Sequence, residues 1–188
     1  YSTDDGVTWA TPITIWDAPT YVDGVFGCLR GVTLTYIGNT PKVAFELLGI
    51  TATGYYPGLR AAIGFWAPDV NGGVGYVTPF DSTWSYNGNG GATDVMTSIC
   101  RPSISRSNNG QLLMMAFGVS RADTDAIGSH FYDVYISTST NGGTNWTSQA
   151  SGTFSDLVAV YFSDASNGTA VGQDATILRT IDGGINWI

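Results

Sequence analysis

Residues 2–9 read STDDGVTW, and residues 180–187 repeat the same order of residue types as TIDGGINW. A hydroxyl side chain comes first, an Asp follows two residues later, a Gly two after that, and a Trp three further on. Each type has a mechanical reason: Asp bonds nearby backbone in a tight turn, Gly supplies a positive φ, and the aromatic ring fixes the turn on a sheet. Such a recurring turn predicts one supersecondary unit that is used repeatedly. The two full copies have these residues at Ser2, Asp4, Gly6, Trp9, Thr180, Asp182, Gly184 and Trp187.

Two further stretches follow the pattern less strictly. One replaces the Asp with Asn, and the other, which begins at Asp69, departs from the pattern at three positions. For the stretch at Asp69, a turn of the same kind and an ordinary turn are equally good interpretations. The pattern positions are Ser139, Asn141, Gly143 and Trp146 in the first of them, and Asn71, Gly73 and Tyr76 in the second.

The pattern resembles the Asp box (BNR repeat), the S-x-D-x-G-x-x-W motif of the sialidase superfamily of β-propellers. In that family the box joins the third and fourth strands of a blade, on the face opposite the catalytic site. The resemblance implies an all-β fold, a β-propeller of four-stranded antiparallel blades joined by Asp-box turns, in which the box residues determine the fold. Residues 160–184 are also similar to blades of photosystem II assembly factor-like propellers and of secreted bacterial repeat proteins.

Composition agrees with short strands and tight turns. The 188 residues include 25 Gly but one Lys, Lys42, and one Glu, Glu46, which argues against helices. The net charge of −8 disfavours nucleic acid and anionic membranes as partners. No apolar run is long enough for a membrane span. An acidic, Lys-poor chain is typical of an exported protein, so we expect an extracellular or cell-surface location, with the periplasm as the alternative.

The spacing of the pattern aromatics predicts how the chain is divided. Trp9, Tyr76, Trp146 and Trp187 are separated by 67, 70 and 41 residues, whereas a propeller blade needs about 40–45. We therefore expect the last strand of one blade in 1–16, two blades with long loops in 17–80 and 81–152, and an incomplete blade in 153–188. This is a partial propeller of about three blades, fewer than a closed ring needs. Because the chain opens on Tyr1 inside a motif, we expect a piece of a larger protein.

Apolar alternation and β-branched runs place the strands. They are predicted over 11–16, 31–37, 43–50, 61–66, 102–106, 112–119, 131–137, 157–162, 169–172 and 176–179, with a further outer strand after Trp146. The face opposite the boxes should then be formed by the loops 17–30, 51–60, 78–101 and 119–130. Long loops on a rigid scaffold are the usual place for binding.

These loops contain four of the six arginines: Arg30, Arg60, Arg101 and Arg121. The resemblance implies that Arg30 and Arg101 hold a substrate carboxylate, since sialidases do so with an arginine triad. The alternative is that they bond loop carbonyls or pair with aspartates. Tyr55 lies in one loop, and Trp84 and Tyr86 in another would suit stacking on sugar rings, although such residues also occur in ordinary turns.

Three further candidates carry chemistry. Asp123 and Asp125 could contribute ligands to Ca²⁺, but a solvated acidic loop explains them as well; no other cofactor is expected. Cys28 and Cys100 could form a disulfide or remain two buried thiols. A sialidase mechanism needs a Tyr nucleophile activated by a Glu; Glu46 could face a channel or solvent, and the Phe-Arg-Ile-Pro signature of sialidases is absent.

The sequence therefore predicts a surface-exposed binding or structural module for glycans or partner proteins, without catalysis by this segment alone. The alternative is a sialidase-like glycoside hydrolase whose remaining catalytic residues lie outside this chain.

Overall fold

Antiparallel strands make up the described part of the protein. The computed structural model describes residues 2, 4–17, 25–28, 31–51, 54–55, 61–70, 74–77, 98–124, 126, 130–149, 152–153, 157–164, 166–172 and 174–188, and no helix occurs among them. Thirteen strands in these residues form three separate sheets, none of which closes on itself. The predicted all-β class is confirmed.

The first sheet contains six strands. They are β1 (Val25–Cys28), β2 (Thr33–Ile37), β3 (Thr40–Thr51), β4 (Gly54–Tyr55), β5 (Ala61–Trp66) and β6 (Val74–Tyr76). The long strand β3 pairs with β5 along one edge and with β1 and β2, one after the other, along its other edge. Strands β1 and β2 together thus occupy the place beside β3 that the single strand β7 occupies beside β8 in the second sheet.

The second sheet has the order β10-β9-β8-β7, and the third has the order β11-β12-β13. Their strands are β7 (Ile99–Arg106), β8 (Leu113–Thr124), β9 (His130–Ser139), β10 (Thr147–Gln149), β11 (Leu157–Phe162), β12 (Gly168–Gly172) and β13 (Ile177–Thr180). At the end of the third sheet, Ile188 and Arg179 exchange two backbone hydrogen bonds. In the second sheet, Thr147 at the start of β10 faces Thr138 in the same way.

The three sheets are stacked face to face. Because side chains alternate between the two faces of a strand, alternate residues lie at each contact between sheets. On β3 the even-numbered residues Ala44 and Leu48 face the second sheet, and on β8 Met115 and Phe117 face back toward them. The other face of β8 packs Met114 against Phe162 of the third sheet. The second sheet is therefore buried on both faces, which explains the almost continuous apolar run of β8.

The outer face of the first sheet is partly covered by the N-terminal segment. Trp16 packs against Phe45 with ring centroids 5.7 Å apart, and its Nε1 donates to Phe26 O. However, residues 10–17 form no strand, so the prediction of a strand over 11–16 was wrong. The apolar pattern there reflects Ile15 and Trp16 packing on the sheet, not ladder formation.

The remaining predicted strands are present, with bounds that differ by a few residues from the prediction. Three strands were missed: β1 lies inside the predicted loop 17–30, β4 inside 51–60, and β6 follows the stretch at Asn71. Strand β8 also continues to Thr124, and β9 begins at His130, so the predicted loop 119–130 is largely a longer hairpin.

Three of the four turns have the same hydrogen bonds. The hydroxyl of the first residue donates to the Asp or Asn side chain and accepts from the Gly amide: Gly6 N, Gly143 N and Gly184 N each lie 2.9 Å from it. The carboxylate or amide oxygen of the third residue accepts from the amide of the seventh at 2.9 Å. These turns are fixed by their own side chains, as their residue types predict.

The described part of the stretch at Asp69 differs from these turns. Tyr76 lies within β6 and pairs with Gly64, whereas Trp146 precedes its strand. Since Trp66 pairs with Val74, the connection is one residue shorter than that between Thr138 and Thr147. Asp69 instead forms an ion pair with Lys42 across 2.6 Å. Asn71 and Gly73 lie outside the described residues.

Candidate functional site at the sheet ends opposite the turns

Each sheet has two distinct ends. In the second sheet, Ser139 begins a turn and pairs with Leu113, while Asp133 and Val119 pair near the other end. The first sheet is aligned with it, because Lys42 Nζ donates to Gly142 O in that same turn at 3.1 Å. We call the end with this turn the turn end and the other the opposite end. Of the arginines proposed from the sequence, Arg101 and Arg121 lie toward the opposite end.

A buried carboxylate occupies the contact between the first two sheets near the opposite end. Glu46 is only 1% exposed, and its Oε1 accepts a hydrogen bond of 2.7 Å from Arg101 N. As an even-numbered residue of β3, it has to point toward the second sheet like Ala44 and Leu48. Both predicted orientations, toward a channel and toward solvent, were therefore wrong.

Arg101 has an unusual backbone at this point. Its φ is +53°, and the register of β7 against β8 shifts between Cys100 and Ser103. A left-handed conformation costs a non-glycine residue about 1–2 kcal/mol, and the charge-assisted hydrogen bond to Glu46 offsets it. The Arg101 side chain is exposed, and its guanidinium makes no hydrogen bond within the described part of the chain.

The first sheet has a matching irregularity beside the same carboxylate. Gly31, between β1 and β2, has φ +68°, and a Cβ at this position would lie 2.5 Å from Glu46 Oε1. Gly31 is thus required for both its backbone conformation and its close approach. Glu46 therefore lies between two interruptions of the strand edge, one in each sheet.

The two cysteines do not form the proposed disulfide. Both are thiols, with Cys28 exposed and Cys100 buried, so the alternative of two buried thiols is right for Cys100 alone. They belong to different sheets, where Cys28 pairs with Leu47 and Cys100 with Gly118. Partial burial and the nearby negative charge of Glu46 raise the pKa of the Cys28 thiol. At neutral pH this thiol is therefore protonated and weakly nucleophilic.

Arg121 is engaged with two carboxylates. Its Nε lies 2.8 Å from Asp123 Oδ1, and its Nη1 lies 3.4 Å from Asp133 Oδ1. The charge of Asp133 and the hydrogen bond to Asp123 raise the pKa of Arg121 further above its ordinary value. This pairing corresponds to the structural role weighed for the loop arginines and leaves less of the guanidinium available for a ligand.

The same pairing bears on the predicted calcium site. Asp123 is a partner of Arg121, and Asp125 lies outside the described residues. Among the residues that the model describes, no three His, Cys, Asp or Glu side chains lie close enough together to hold a metal ion. Calcium binding at this loop has no geometric support in that part of the chain.

The remaining proposed residues are Tyr55, which the structure places in a strand, and four residues beyond the described part of the chain. Tyr55 belongs to β4, where it pairs with Ile50. The side chains proposed for carboxylate binding and sugar stacking in the remaining loops lie outside the described residues: Arg30, Arg60, Trp84 and Tyr86. Their proposed roles stay predictions.

Two functional features were missed in the sequence because they depend on contacts between distant segments. One is the bond from Glu46 to the Arg101 backbone, and the other is the buried position of Lys42, which is 1% exposed. A usable signal was available: charged residues in a strand of otherwise apolar residues, four positions apart, lie on the same face.

The chemistry available at the opposite end is recognition of a negative group by the exposed guanidinium of Arg101, whose backbone amide is held by Glu46. A planar guanidinium binds a carboxylate through two parallel hydrogen bonds. The described residues contain no helix long and apolar enough to cross a membrane. No protein family model matches the sequence, and no curated protein matches it.

Proposed function

We propose that this protein is a β-propeller-type binding module of the Asp-box kind, displayed at the cell surface or exported, which binds carboxylate-bearing glycans through Arg101. Stacked antiparallel sheets and three turns with one hydrogen-bond pattern support the propeller arrangement. The acidic composition with a single Lys supports the location.

One observation carries the binding proposal: the Arg101 side chain is exposed while its backbone is held by buried Glu46. A fixed backbone reduces the conformational entropy that the arginine loses when it binds a ligand. The position also lies away from the turns, whose polar side chains are already used in their own hydrogen bonds. Acidic sugars such as sialosides present the carboxylate that this guanidinium fits.

An array of acidic glycans and of their carboxyl-reduced counterparts, probed with the intact chain, tests this proposal. Binding should require the carboxylate, and Arg101→Ala should weaken it about tenfold or more, since a charge-assisted hydrogen bond contributes about 1.5–3 kcal/mol. Arg106→Ala is the matched control: it lies on the same strand at the turn end, where its guanidinium bonds Ser107 O and Asn108 O. Equal binding by Arg101→Ala and wild type, or equal binding of reduced glycans, would refute the proposal.

The same preparation separates binding from catalysis. Incubation with a sialoside and detection of released sugar would show hydrolysis, which the glycosidase alternative requires. A binding module retains the ligand without releasing product.

A further inference from the structure

The three equivalent turns have different surroundings. Trp146 packs edge-on against Phe65 of the first sheet with centroids 5.3 Å apart. Trp187 packs against the cluster of Leu112, Met114 and Phe162, which joins the second and third sheets, and its ring centroid lies 5.8 Å from that of Phe162. Trp146 and Trp187 are thus each partly buried at a contact between two consecutive sheets. Trp9 has the same internal bond to its turn as Trp146, in this case from Nε1 to Gly6 O, yet it is 72% exposed.

The last sheet shows the complementary situation. The face of each sheet toward its successor is buried in the first sheet, at Ala44 and Phe65, and in the second, at Met114. On the third sheet the corresponding face is exposed. Val171 pairs with Ile177, which is 69% exposed, and Tyr161 lies in the next row with Thr169 and Arg179.

The two exposed surfaces, the 2–9 turn and the outer face of the third sheet, also carry opposite charges. In the contact between the first two sheets, a cation of the earlier sheet, Lys42, donates to Gly142 O of the later turn. The residue at the equivalent position of the first turn is Asp5, which is exposed beside Asp4. Hydrogen bonds from Ser2 and Thr8 lower the pKa of Asp4 to about 2, so it is ionised at neutral pH. The exposed face of the third sheet carries a cation, Arg179.

We propose that copies of this chain associate head to tail, with the 2–9 turn of one copy packed on the exposed face of the third sheet of the next. The contact repeats the internal one: Trp9 takes the role of Trp146, and Arg179 that of Lys42. Such an interface is heterologous, because the two copies contribute different surfaces, and it forms a closed ring or an open chain. This proposal is independent of the ligand proposed for Arg101.

Sedimentation velocity of the intact chain from low to high micromolar concentration tests the association, with two variants that each remove one surface. Trp9→Ser removes the turn side, and Ile177→Asp places a charge on the sheet side. The wild type should shift to at least twice its monomer mass as concentration rises, while each variant alone should remain monomeric. Ile185→Ser is the control, since this side chain is also exposed but lies beside Gln111 and faces the second sheet.

Mixing the two variants gives the decisive result. Trp9→Ser keeps an intact third sheet and Ile177→Asp keeps an intact turn, so a head-to-tail contact predicts dimers in the mixture and nothing larger. A symmetric contact would not be restored by mixing and would overturn the proposal. A wild type that remains monomeric throughout would overturn it as well, because the two surfaces would then serve a different partner. All altered side chains are exposed, and urea unfolding of each variant verifies that it is folded.

Discussion

Substitution of the glycines at the centre of the equivalent turns tests how closely the first two sheets pack together. Gly143 and Gly184 have φ of +100° and +91°. A Cβ on Gly143 would lie 2.3 Å from Phe65 Cε1, well inside van der Waals contact. A Cβ on Gly184 would lie 3.5 Å from its nearest neighbour, Trp187, which is ordinary contact. Substitution by Ala thus imposes similar backbone strain at both positions but a steric conflict only at Gly143.

Comparing the alanine variants of Gly143 and Gly184 separates the cost of backbone strain from the cost of the steric conflict. Backbone strain at a positive φ costs about 1–3 kcal/mol at either site. Forcing an extra methyl group against a packed ring costs about 1–3 kcal/mol more. We therefore expect Gly143→Ala to reduce the free energy of unfolding by about 1–3 kcal/mol more than Gly184→Ala does. Gly6→Ala should resemble Gly184→Ala, because its Cβ would lie 3.7 Å from Trp9 of its own turn.

Urea unfolding followed by tryptophan fluorescence gives the measurement, since the midpoint and slope yield the free energy of unfolding. Repeating the Gly143→Ala change in a Phe65→Leu background provides the control. The smaller side chain should relieve the conflict, so the excess loss should shrink in the double variant. Equal losses for Gly143→Ala and Gly184→Ala would show that Phe65 does not confine the turn, and the face-to-face packing of the first two sheets would be refuted.

Three further predictions concern charge and reactivity. Lys42→Met keeps the aliphatic stem but removes the hydrogen bonds to Asp69 and Gly142. Urea unfolding should therefore show that the free energy of unfolding falls by about 1–3 kcal/mol, toward the lower end because Asp69 is half exposed and its charge is screened by water. A variant as stable as the wild type would contradict this prediction. Hydrogen bonds from Asn186 and Thr180 lower the pKa of Asp182 in the folded protein. The ionised carboxylate therefore contributes its full stabilisation above the pKa of an unfolded Asp, about 3.9, and loses it as the pH falls below that value. When the free energy of unfolding is measured by urea at decreasing pH, Asp182→Asn should reduce the loss of stability in this acidic range. Iodoacetamide should alkylate the exposed Cys28 in the native protein, but more slowly at neutral pH than it alkylates an ordinary thiol, because the pKa of Cys28 is raised. The buried Cys100 should be alkylated only after unfolding, and mass spectrometry distinguishes the two sites. Modification of both cysteines at equal rates would contradict the assigned burial.

The local features of the fold were predictable from the sequence, because their causes lie within a few residues. The strands Ala61–Trp66 and Leu157–Phe162 have the predicted bounds. The turn at Ser139 makes its bonds with its own side chains. In contrast, β1 has four residues, one of them Gly27, and no apolar alternation marks it as a strand. Its pairing with β3 joins residues that are 19 to 25 positions apart, which no local pattern encodes.

The candidate site was predictable only in its location. Sequence reasoning placed Arg101 at the end away from the turns, where it lies, but also kept Arg121 among the binding candidates. The structure distinguishes them through partners that are distant in sequence: Asp133 pairs with Arg121, and Glu46 holds the backbone of Arg101. Neither partner could be deduced from spacing, since each depends on how strands and sheets are brought together.

The single Lys and the single Glu of the chain show what composition alone leaves open. The only Lys and the only Glu both lie on β3, four positions apart on the face toward the second sheet, and both are buried. Four residues of strand span about 13 Å, so Lys42 reaches the carbonyl of Gly142 at the turn end while Glu46 accepts from the amide of Arg101 near the opposite end. A slip of one residue along β3 would turn both charges to the other face and leave them without these partners. The pair therefore fixes the alignment of the first two sheets, and the hydrogen bond that holds the left-handed backbone of Arg101 depends on that alignment.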